Sequence, residues 1–325
     1  MERNLSRVKP YFILNKNRLN KYMLFLIFLG SCVNGFAQTE KDKLMMKKGE
    51  LCTSFMYGTA SWEKYWEGKL ERENSNLGKV ITKSARLMGN YGISDKLNIL
   101  YNVPYIKTRA TGGQLAGQQG IQDLSIFIKY KICNQEDSSD GFSSFLVGGY
   151  STPLTNYTPD LLPLSIGLQS KTASIRALGN YAFNNFFVTG SVAYIRRSNV
   201  FLDRNSYFTT ELNYTNEVKM SDAMEYNLRV GYQKNAWFVE AIFNNFNTLG
   251  GFDISKNNMP FVSNDMESTQ IAAHLRYDIE ALKGLALIAD VGTTVAGRNI
   301  GKLSYYDAGL IYFFNLTGSS KKNKN

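Results

Sequence analysis

Apolar and polar residues alternate along residues 84–105, SARLMGNYGISDKLNILYNVPY. Ala85, Leu87 and Tyr91 fall on one side of an extended chain, and the alternation resumes after a short turn at residues 92–95. Period-two alternation predicts a strand with two unlike faces, and a Gly/Asp turn between two such runs predicts a hairpin. Each arm has roughly 9–11 residues, the length that a tilted strand needs to cross a bilayer.

Similar runs recur along the chain and predict an all-β fold. The pattern indicates a single antiparallel transmembrane β-barrel of about 12 strands, within a range of about 12–14. The predicted runs are 51–62, 79–91, 96–106, 122–132, 142–150, 171–183, 186–195, 224–233, 237–246, 269–279, 285–295 and 303–316. The first and fifth runs alternate poorly, so they are the weakest members of the set.

The connections between these runs fall into two classes. Those that follow even-numbered runs are short, whereas most of those that follow odd-numbered runs are long. Short periplasmic turns and long extracellular loops are typical of outer-membrane barrels. The loop at 196–223 contains an alternating stretch, TTELNYTNEV, which either extends the wall or adds a strand pair.

Tyrosines form a second regularity, because each even-numbered run carries one near its predicted periplasmic end on the apolar side. An amphipathic ring prefers the bilayer interface, so we interpret these residues as a membrane girdle. They are Tyr91, Tyr130, Tyr181, Tyr232, Tyr277 and Tyr312.

The start of the chain has a different character. Residues 23–33, MLFLIFLGSCV, are apolar but too short to span a bilayer, and they follow a basic segment. This order predicts a signal peptide at 1–37 with cleavage after Ala37. The alternative is a lipobox that leaves a lipoprotein anchored at Cys32. The remaining divisions are a mobile periplasmic segment at 38–50, the barrel at 51–316 and a polar tail at 317–325.

Composition adds two limits. The formal net charge is +10, but residues 1–37 contain six basic residues and one acidic residue, so their removal leaves +5 and little support for nucleic-acid binding. Cys52 and Cys133 lie on the first and fourth predicted strands. Three strand spacings of about 4.8 Å exceed the reach of a disulfide, so we expect free thiols.

Residues 91–132 contain a motif series that extends beyond the general barrel pattern. It comprises Tyr91, Gly92, Ser94, Asp95, Leu97, Val103, Pro104, Tyr105, Gly120, Asp123, Leu124, Lys129 and Tyr130. These positions resemble the MetA-pathway-of-phenol-degradation family, a transporter family of bacterial outer-membrane β-barrels. Gln122 departs from the family pattern, which has a second glycine there. The resemblance implies passage of small compounds, with apolar or aromatic ones among the candidates, and it carries over no catalytic residue.

Strand parity identifies the side chains that we expect to line the lumen. A charged residue on the lipid face costs about 2–4 kcal/mol near the midplane, which favours an inward position. The candidates are Arg86, Lys129, Arg176, Glu225, Arg229, Glu240, His274, Arg276, Asp290 and Asp307. They either line a narrow, selective solute path or form a paired network that fills the barrel.

Catalytic chemistry has little support in the sequence. His274 is the only histidine, and a lone histidine supplies neither a metal cluster nor a triad. We therefore predict no enzyme activity, no cofactor and no metal. Trp62, Tyr65 and Trp66 either bind an apolar or sugar ligand at the extracellular mouth or belong to an upper girdle with its packed loop.

Two functions are compatible with these patterns. The first is a porin-like channel or transporter for small solutes in the cell outer membrane. The second is a structural or ligand-binding barrel with a filled lumen and extracellular recognition loops. In both cases the expected partners are outer-membrane lipid and lipopolysaccharide, the barrel-assembly machinery and a small-molecule solute, with no nucleic acid.

Overall fold

A computed structural model describes residues 39–137, 140–256 and 258–316. The predicted signal peptide, the lipobox cysteine Cys32 and the tail at 317–325 lie outside these residues. Among the described residues, twelve long strands form the barrel. They are β1 (Glu50–Trp62), β2 (Val80–Ser94), β3 (Leu97–Ala110), β4 (Asp123–Asp137), β5 (Asp140–Pro153), β6 (Thr172–Phe183), β7 (Phe186–Arg197), β8 (Ala223–Lys234), β9 (Trp237–Thr248), β10 (Glu267–Asp278), β11 (Leu285–Arg298) and β12 (Ser304–Asn315).

The sheet closes on itself because β1 pairs with β2 on one side and with β12 on the other. Each remaining strand pairs antiparallel with its neighbours in sequence. Closure leaves no free sheet edge, so the wall satisfies its backbone hydrogen bonds internally. The prediction of a single antiparallel barrel with twelve strands is confirmed.

Side chains along each strand alternate between the two faces of the wall. In β8 the alternation runs from buried Glu225 through exposed Tyr226 to buried Asn227 and exposed Leu228. The outward residues are mostly large and apolar, as expected for a wall that faces lipid. Register shifts in β2, β4 and β10 mark local irregularities.

Short turns and long loops segregate to opposite ends, as the sequence predicts. The short connections among the described residues are 95–96, 184–185, 235–236 and 279–284. The long ones are 63–79, 111–122, 154–171, 198–222 and 249–266, with a shorter one at 299–303. We refer to the two ends as the short-turn end and the long-loop end.

Several strand boundaries differ from the predicted runs. The predicted fourth and fifth runs are 122–132 and 142–150, whereas β4 reaches Asp137 and β5 begins at Asp140. Beyond the apolar band the ladder continues without any need for alternation, so periodicity underestimates strand length there. The weakly alternating first and fifth runs nevertheless form complete strands.

The loops carry structure of their own. Short antiparallel ladders join Lys64–Glu67 to Leu70–Glu73 and, within 198–222, Val200–Phe201 to Glu217–Val218 and Tyr207–Phe208 to Leu212–Asn213. The alternating stretch at 209–218 therefore supplies the second strand of each of the two ladders in this last loop, outside the twelve-stranded wall. Among the described residues, no helix is long and apolar enough to cross a membrane.

Candidate functional site in the barrel lumen

The ten candidate lumen residues have buried or half-buried side chains. Eight of them take part in ion pairs, and the other two, His274 and Asp290, form a hydrogen bond with each other. Six are buried: Lys129, Arg176, Glu225, Arg229, Glu240 and Arg276. The half-buried members are Arg86, His274, Asp290 and Asp307. Whether they conduct a solute stays a prediction, but their positions agree with the inward parity.

Three of these contacts link strands across the inner wall. Arg229 Nη1 donates to Glu240 Oε2 at 2.9 Å, which joins β8 to β9. His274 Nδ1 lies 2.5 Å from Asp290 Oδ1 and joins β10 to β11. Arg176 on β6 pairs with Glu225 on β8. A charge that leaves water needs such a partner, so pairing explains how the lumen accommodates these groups.

A glycine makes a further pair possible. Arg86 on β2 and Asp307 on β12 lie two strands apart, with β1 between them, yet Arg86 Nη2 lies 2.6 Å from Asp307 Oδ2. The Asp307 carboxylate reaches over Gly58, where a Cβ atom would fall 1.4 Å from Oδ1. Sequence parity places the two charges inside but gives no indication of this glycine.

Residues 39–49, which we call the plug segment, pack against the inside of the barrel. Asp42, Leu44 and Met46 are buried and alternate with partly exposed neighbours. Leu44 packs with Phe187 and Phe238. The charged, unpatterned sequence predicts a mobile lead-in here, and the structure corrects that expectation. The short alternation from Asp42 to Met46 is the signal that could have indicated a packed position.

Lys129 is the main polar anchor of the plug segment. Its ammonium group is fully buried and donates to the carbonyl oxygens of Asp42 at 2.5 Å, Leu44 at 3.0 Å and Thr39 at 3.2 Å. It also lies 3.2 Å from Asp42 Oδ1. On the opposite side, Lys41 Nζ donates to Glu225 Oε1 at 2.5 Å. These contacts fix the segment to both β4 and β8.

Backbone contacts hold the base of the plug segment at the short-turn end. Gly49 N donates to Gly92 O at 2.8 Å, and Lys48 N donates to Asp95 Oδ1 at 3.0 Å. A Cβ atom at Gly92 would lie 2.1 Å from the Lys47 carbonyl oxygen, so only glycine allows this close approach. Gly92 and Asp95 belong to the motif series of the sequence, which links that motif to the seating of the segment.

Above the plug segment lies a polar cavity of about 550 Å³, which we call the lumen cavity. Its floor includes Lys41 and Asp42, and its walls include Arg86, Arg229 and Tyr305. The lumen therefore contains both features that the sequence left as alternatives: a network of paired charges and an open volume. The plug segment separates this volume from the short-turn end.

A second cavity, of about 660 Å³, lies among the long loops and is called here the loop cavity. Trp62 and Tyr65 line it, with ring centroids 6.3 Å apart. Trp66 instead is buried beneath the loops, where a Cβ atom at Gly297 would lie 2.7 Å from its ring. The structure thus separates three aromatic residues that the sequence treats as one group.

The six predicted girdle tyrosines lie on the outer face near the short-turn end. Tyr91, Tyr130 and Tyr181 are exposed, and the other three are half-buried. Neighbouring rings pack on the latter, with centroid distances of 4.9 Å for Phe186–Tyr232, 4.6 Å for Trp237–Tyr277 and 4.5 Å for Tyr312–Phe314. Their role at a bilayer interface stays a prediction.

The remaining polar candidates give little basis for catalysis. His274 contacts Asp290 and, edge-on, the ring of Phe238, with centroids 6.0 Å apart. Within the described part of the chain, no group of three or more His, Cys, Asp or Glu side chains is placed to hold a metal ion. Neither Cys52 nor Cys133 takes part in a disulfide among the described residues.

Comparison with solved structures supports the architecture. The chain is similar to a COG4313 outer membrane channel from Pseudomonas putida F1, with a TM-score of 0.65 and 13% identity over 86% of this chain and 100% of that one. The fold is that of an outer-membrane barrel. Identity this low shows the fold alone.

Other solved barrels are less similar. The NanC porin has a TM-score of 0.43 and 7% identity over 79% of this chain and 98% of that one. A deletion mutant of the TodX monoaromatic hydrocarbon channel has a TM-score of 0.43 and 10% identity over 83% of this chain and 91% of that one. Likeness at this level supports no conclusion. No family model and no curated protein matches the sequence, so the resemblance to the phenol-degradation family stays a prediction.

Proposed function

We propose that this protein is an outer-membrane channel for small solutes, with the long loops outside the cell and the short turns in the periplasm. The observation that carries the proposal is the stacking of the two cavities. Ala60 lines the lumen cavity, and Trp62, two residues along the same inward face of β1, lines the loop cavity. Gly301 and Leu303 show the same succession on the neighbouring loop at 299–303. We infer that a solute passes from one cavity to the other along this wall.

The outer face supports a membrane location. It carries large apolar side chains, and exposed or half-buried tyrosines lie on it near the short-turn end. An apolar band with aromatic rings at its border matches the lipid-facing surface of a bacterial barrel. We propose outer-membrane lipid and lipopolysaccharide as its surroundings and the barrel-assembly machinery as its route of insertion.

The plug segment gives the channel a closed state at the periplasmic end. Its buried residues occupy the lumen, and its polar contacts are confined to a few side chains of the wall. Passage of a solute requires the segment to shift or leave. Apolar and aromatic compounds are proposed among the solutes because the outer cavity on the path is largely apolar.

The same segment favours a second function, that of a filled barrel that binds a ligand through its loops. With Lys129 saturated by the plug segment and the lumen charges paired, such a barrel needs no conducting state. Passage is then absent, and the loops alone carry the function.

Planar-bilayer conductance of the refolded protein distinguishes these functions. A channel is expected to show discrete steps, and liposomes containing it are expected to swell in small uncharged solutes. Heat-denatured protein, added at the same concentration, is the control. A folded, inserted protein that neither conducts nor permits swelling would contradict the channel and favour the binding barrel.

A further inference from the structure

The loop cavity is built by five of the connections at the long-loop end. They contribute Tyr65 and Leu77, Leu115, Leu162 and Leu168, Ile254, and Ile300. With the inward Trp62 of β1, these residues make a mainly apolar and aromatic lining. At about 660 Å³, its volume falls within the range of roughly 300–1,000 Å³ found for small-molecule sites.

The walls of this cavity have structural support from outside. Leu162 and Leu168 also pack against an apolar core that includes Val200 and Val218 from the loop at 198–222 and Val262 from the loop at 249–266. Each of the three valines is at most 1% exposed. Connected loops that share a buried core hold their inner side chains in place, so the cavity is formed before any ligand arrives.

Charge is neutralised around the cavity. Its charged lining residues are Arg72 and Glu73. Arg72 pairs with Glu67: Nη2 donates to Oε1 at 3.2 Å, and Nε lies 2.9 Å from Oε2 without forming a hydrogen bond. The side chain of Glu73 is 79% exposed and lies 4.0 Å from Lys64 Nζ. An ionic ligand would lose its hydration here, and its two possible counter-charges are a guanidinium already paired with Glu67 and a carboxylate that faces solvent, which disfavours both anions and cations.

Asn74 is a polar member of the lining whose side chain belongs to the loop. Its Oδ1 accepts a hydrogen bond from Leu77 N at 3.4 Å. Its Nδ2 is buried, with almost no accessible surface, so a ligand in the cavity does not reach it. The lining therefore selects a ligand by its apolar surface and its lack of charge.

We propose that the loop cavity is a binding site for an uncharged, apolar small molecule, such as an uncharged aromatic compound. This inference rests on the proposed function in one respect, since it names the class of solute that the channel takes from outside. The site itself depends only on the loops, and it could exist in a barrel that does not conduct.

Three probes of equal size test the charge argument: 4-bromobenzyl alcohol, 4-bromobenzoate and 4-bromobenzylammonium. Bromine quenches indole fluorescence on contact, so a bound probe reports on Trp62. The protein used for the titrations carries Trp237→Phe. Trp237 is 49% exposed on the outer face, so probe dissolved in the surrounding detergent or lipid would quench its fluorescence. A Trp62→Phe protein that retains Trp237 measures this non-specific quenching.

We expect saturable quenching by the neutral alcohol, with an apparent affinity at least ten-fold above that of either ion, and its loss in the Trp62→Phe protein. Leu115 lies in a loop and is 36% exposed, and Leu115→Glu should lower the affinity for the alcohol at least ten-fold. Leu212→Glu is the matched control, because Leu212 is 50% exposed on the loop at 198–222 and does not line the cavity. Each variant is first checked for heat-dependent migration as a folded barrel.

Two results would overturn the inference: quenching that rises linearly with probe in both tryptophan backgrounds, or equal affinity for the alcohol and one of the ions. Conductance of the same preparations separates this outcome from failure of the channel. Binding without conductance would support the binding site and contradict the channel. Conductance without binding rejects the site and leaves the channel.

Discussion

The ammonium group of Lys129 lies 2.5 Å from the carbonyl oxygen of Asp42, so the wall holds the plug segment mainly through its backbone. Two further carbonyl oxygens and the Asp42 carboxylate complete the shell. An ammonium has only three protons, so the four acceptors saturate it. The buried ammonium group and the buried carbonyl oxygens of the plug segment thus satisfy each other's hydrogen bonds. Either group, if it stayed buried without its partner, would cost free energy.

Lys129→Met should release the plug segment without unfolding the barrel. Loss of one partner of a buried pair costs about 3–5 kcal/mol when the other must stay buried. Here the segment can move into water instead, so the cost to the wall is small. We expect higher single-channel conductance or longer open times, with the heat-dependent gel transition unchanged.

Lys131→Met is the matched control, because Lys131 lies on the same strand and makes no hydrogen bond to the plug segment among the described contacts. Unchanged conductance in the Lys129 variant, or an equal rise in both variants, would contradict the anchoring role of Lys129.

Gly58→Ala should break the ion pair between Arg86 and Asp307. The new methyl group would meet Asp307 Oδ1 at 1.4 Å, so the carboxylate must move away from Arg86. We expect a loss of about 1–3 kcal/mol in the free energy of unfolding, the usual cost of overpacking. Urea-induced unfolding in lipid vesicles measures it.

Gly190→Ala provides the control, since a Cβ atom there meets nothing within 4 Å. The double variant Gly58→Ala, Asp307→Ala tests the cause, because Gly58→Ala should cost little once the carboxylate is gone. An undiminished cost in that background would assign the effect to the backbone of β1 instead.

The sequence predicts an inward position for the charged lumen residues from strand parity and from the cost of a charge in lipid. A charge such as Arg229 or Glu240 cannot face hydrocarbon, so alternation alone determines its side. Which charges meet depends on strand register, and periodicity does not give it. The pair of Arg86 with Asp307 requires closure of the barrel between the first and last strands.

Two features lay beyond sequence reasoning for different reasons. The plug segment has only three buried alternate positions among lysines, too few to distinguish a packed strand from a charged linker. The loop cavity joins residues as distant as Leu77 and Ile300, and no local pattern reports such a meeting. Among its members only the aromatic residues Trp62 and Tyr65 gave a signal.

The inside and outside of the wall can be compared at two neighbouring positions of β10. Ile271 is 49% exposed on the outer face, whereas Gln270 lines the lumen cavity. Ile271→Arg should cost about 2–4 kcal/mol if the position lies near the bilayer midplane, so we expect poor folding into vesicles. Gln270→Arg should fold with near-normal yield. Similar yields for the two variants would contradict the assignment of the faces.

Acid should loosen the long-loop end as Asp253 takes up a proton. A hydrogen bond from Arg298 holds the pKa of Asp253 below its usual range, and a second, from Asn299 Nδ2, adds to this effect. Because the folded-state pKa is depressed, the stabilisation is complete above the usual value of about 3.9. It is lost as the pH falls through the lower, folded-state value.

Trp66 reports this change, because its backbone N–H donates to Ile300 O at 2.8 Å, next to Asn299. We expect its emission to shift with a midpoint below about pH 3.9 and the step to weaken in Asp253→Asn, whose amide cannot titrate. Asp203→Asn, on the exposed part of the loop at 198–222, is the control and should keep the full step. If Asp253→Asn titrates like the unmodified protein, other carboxylates around Arg298 control the loops, with Asp265 at 2.6 Å the first to examine.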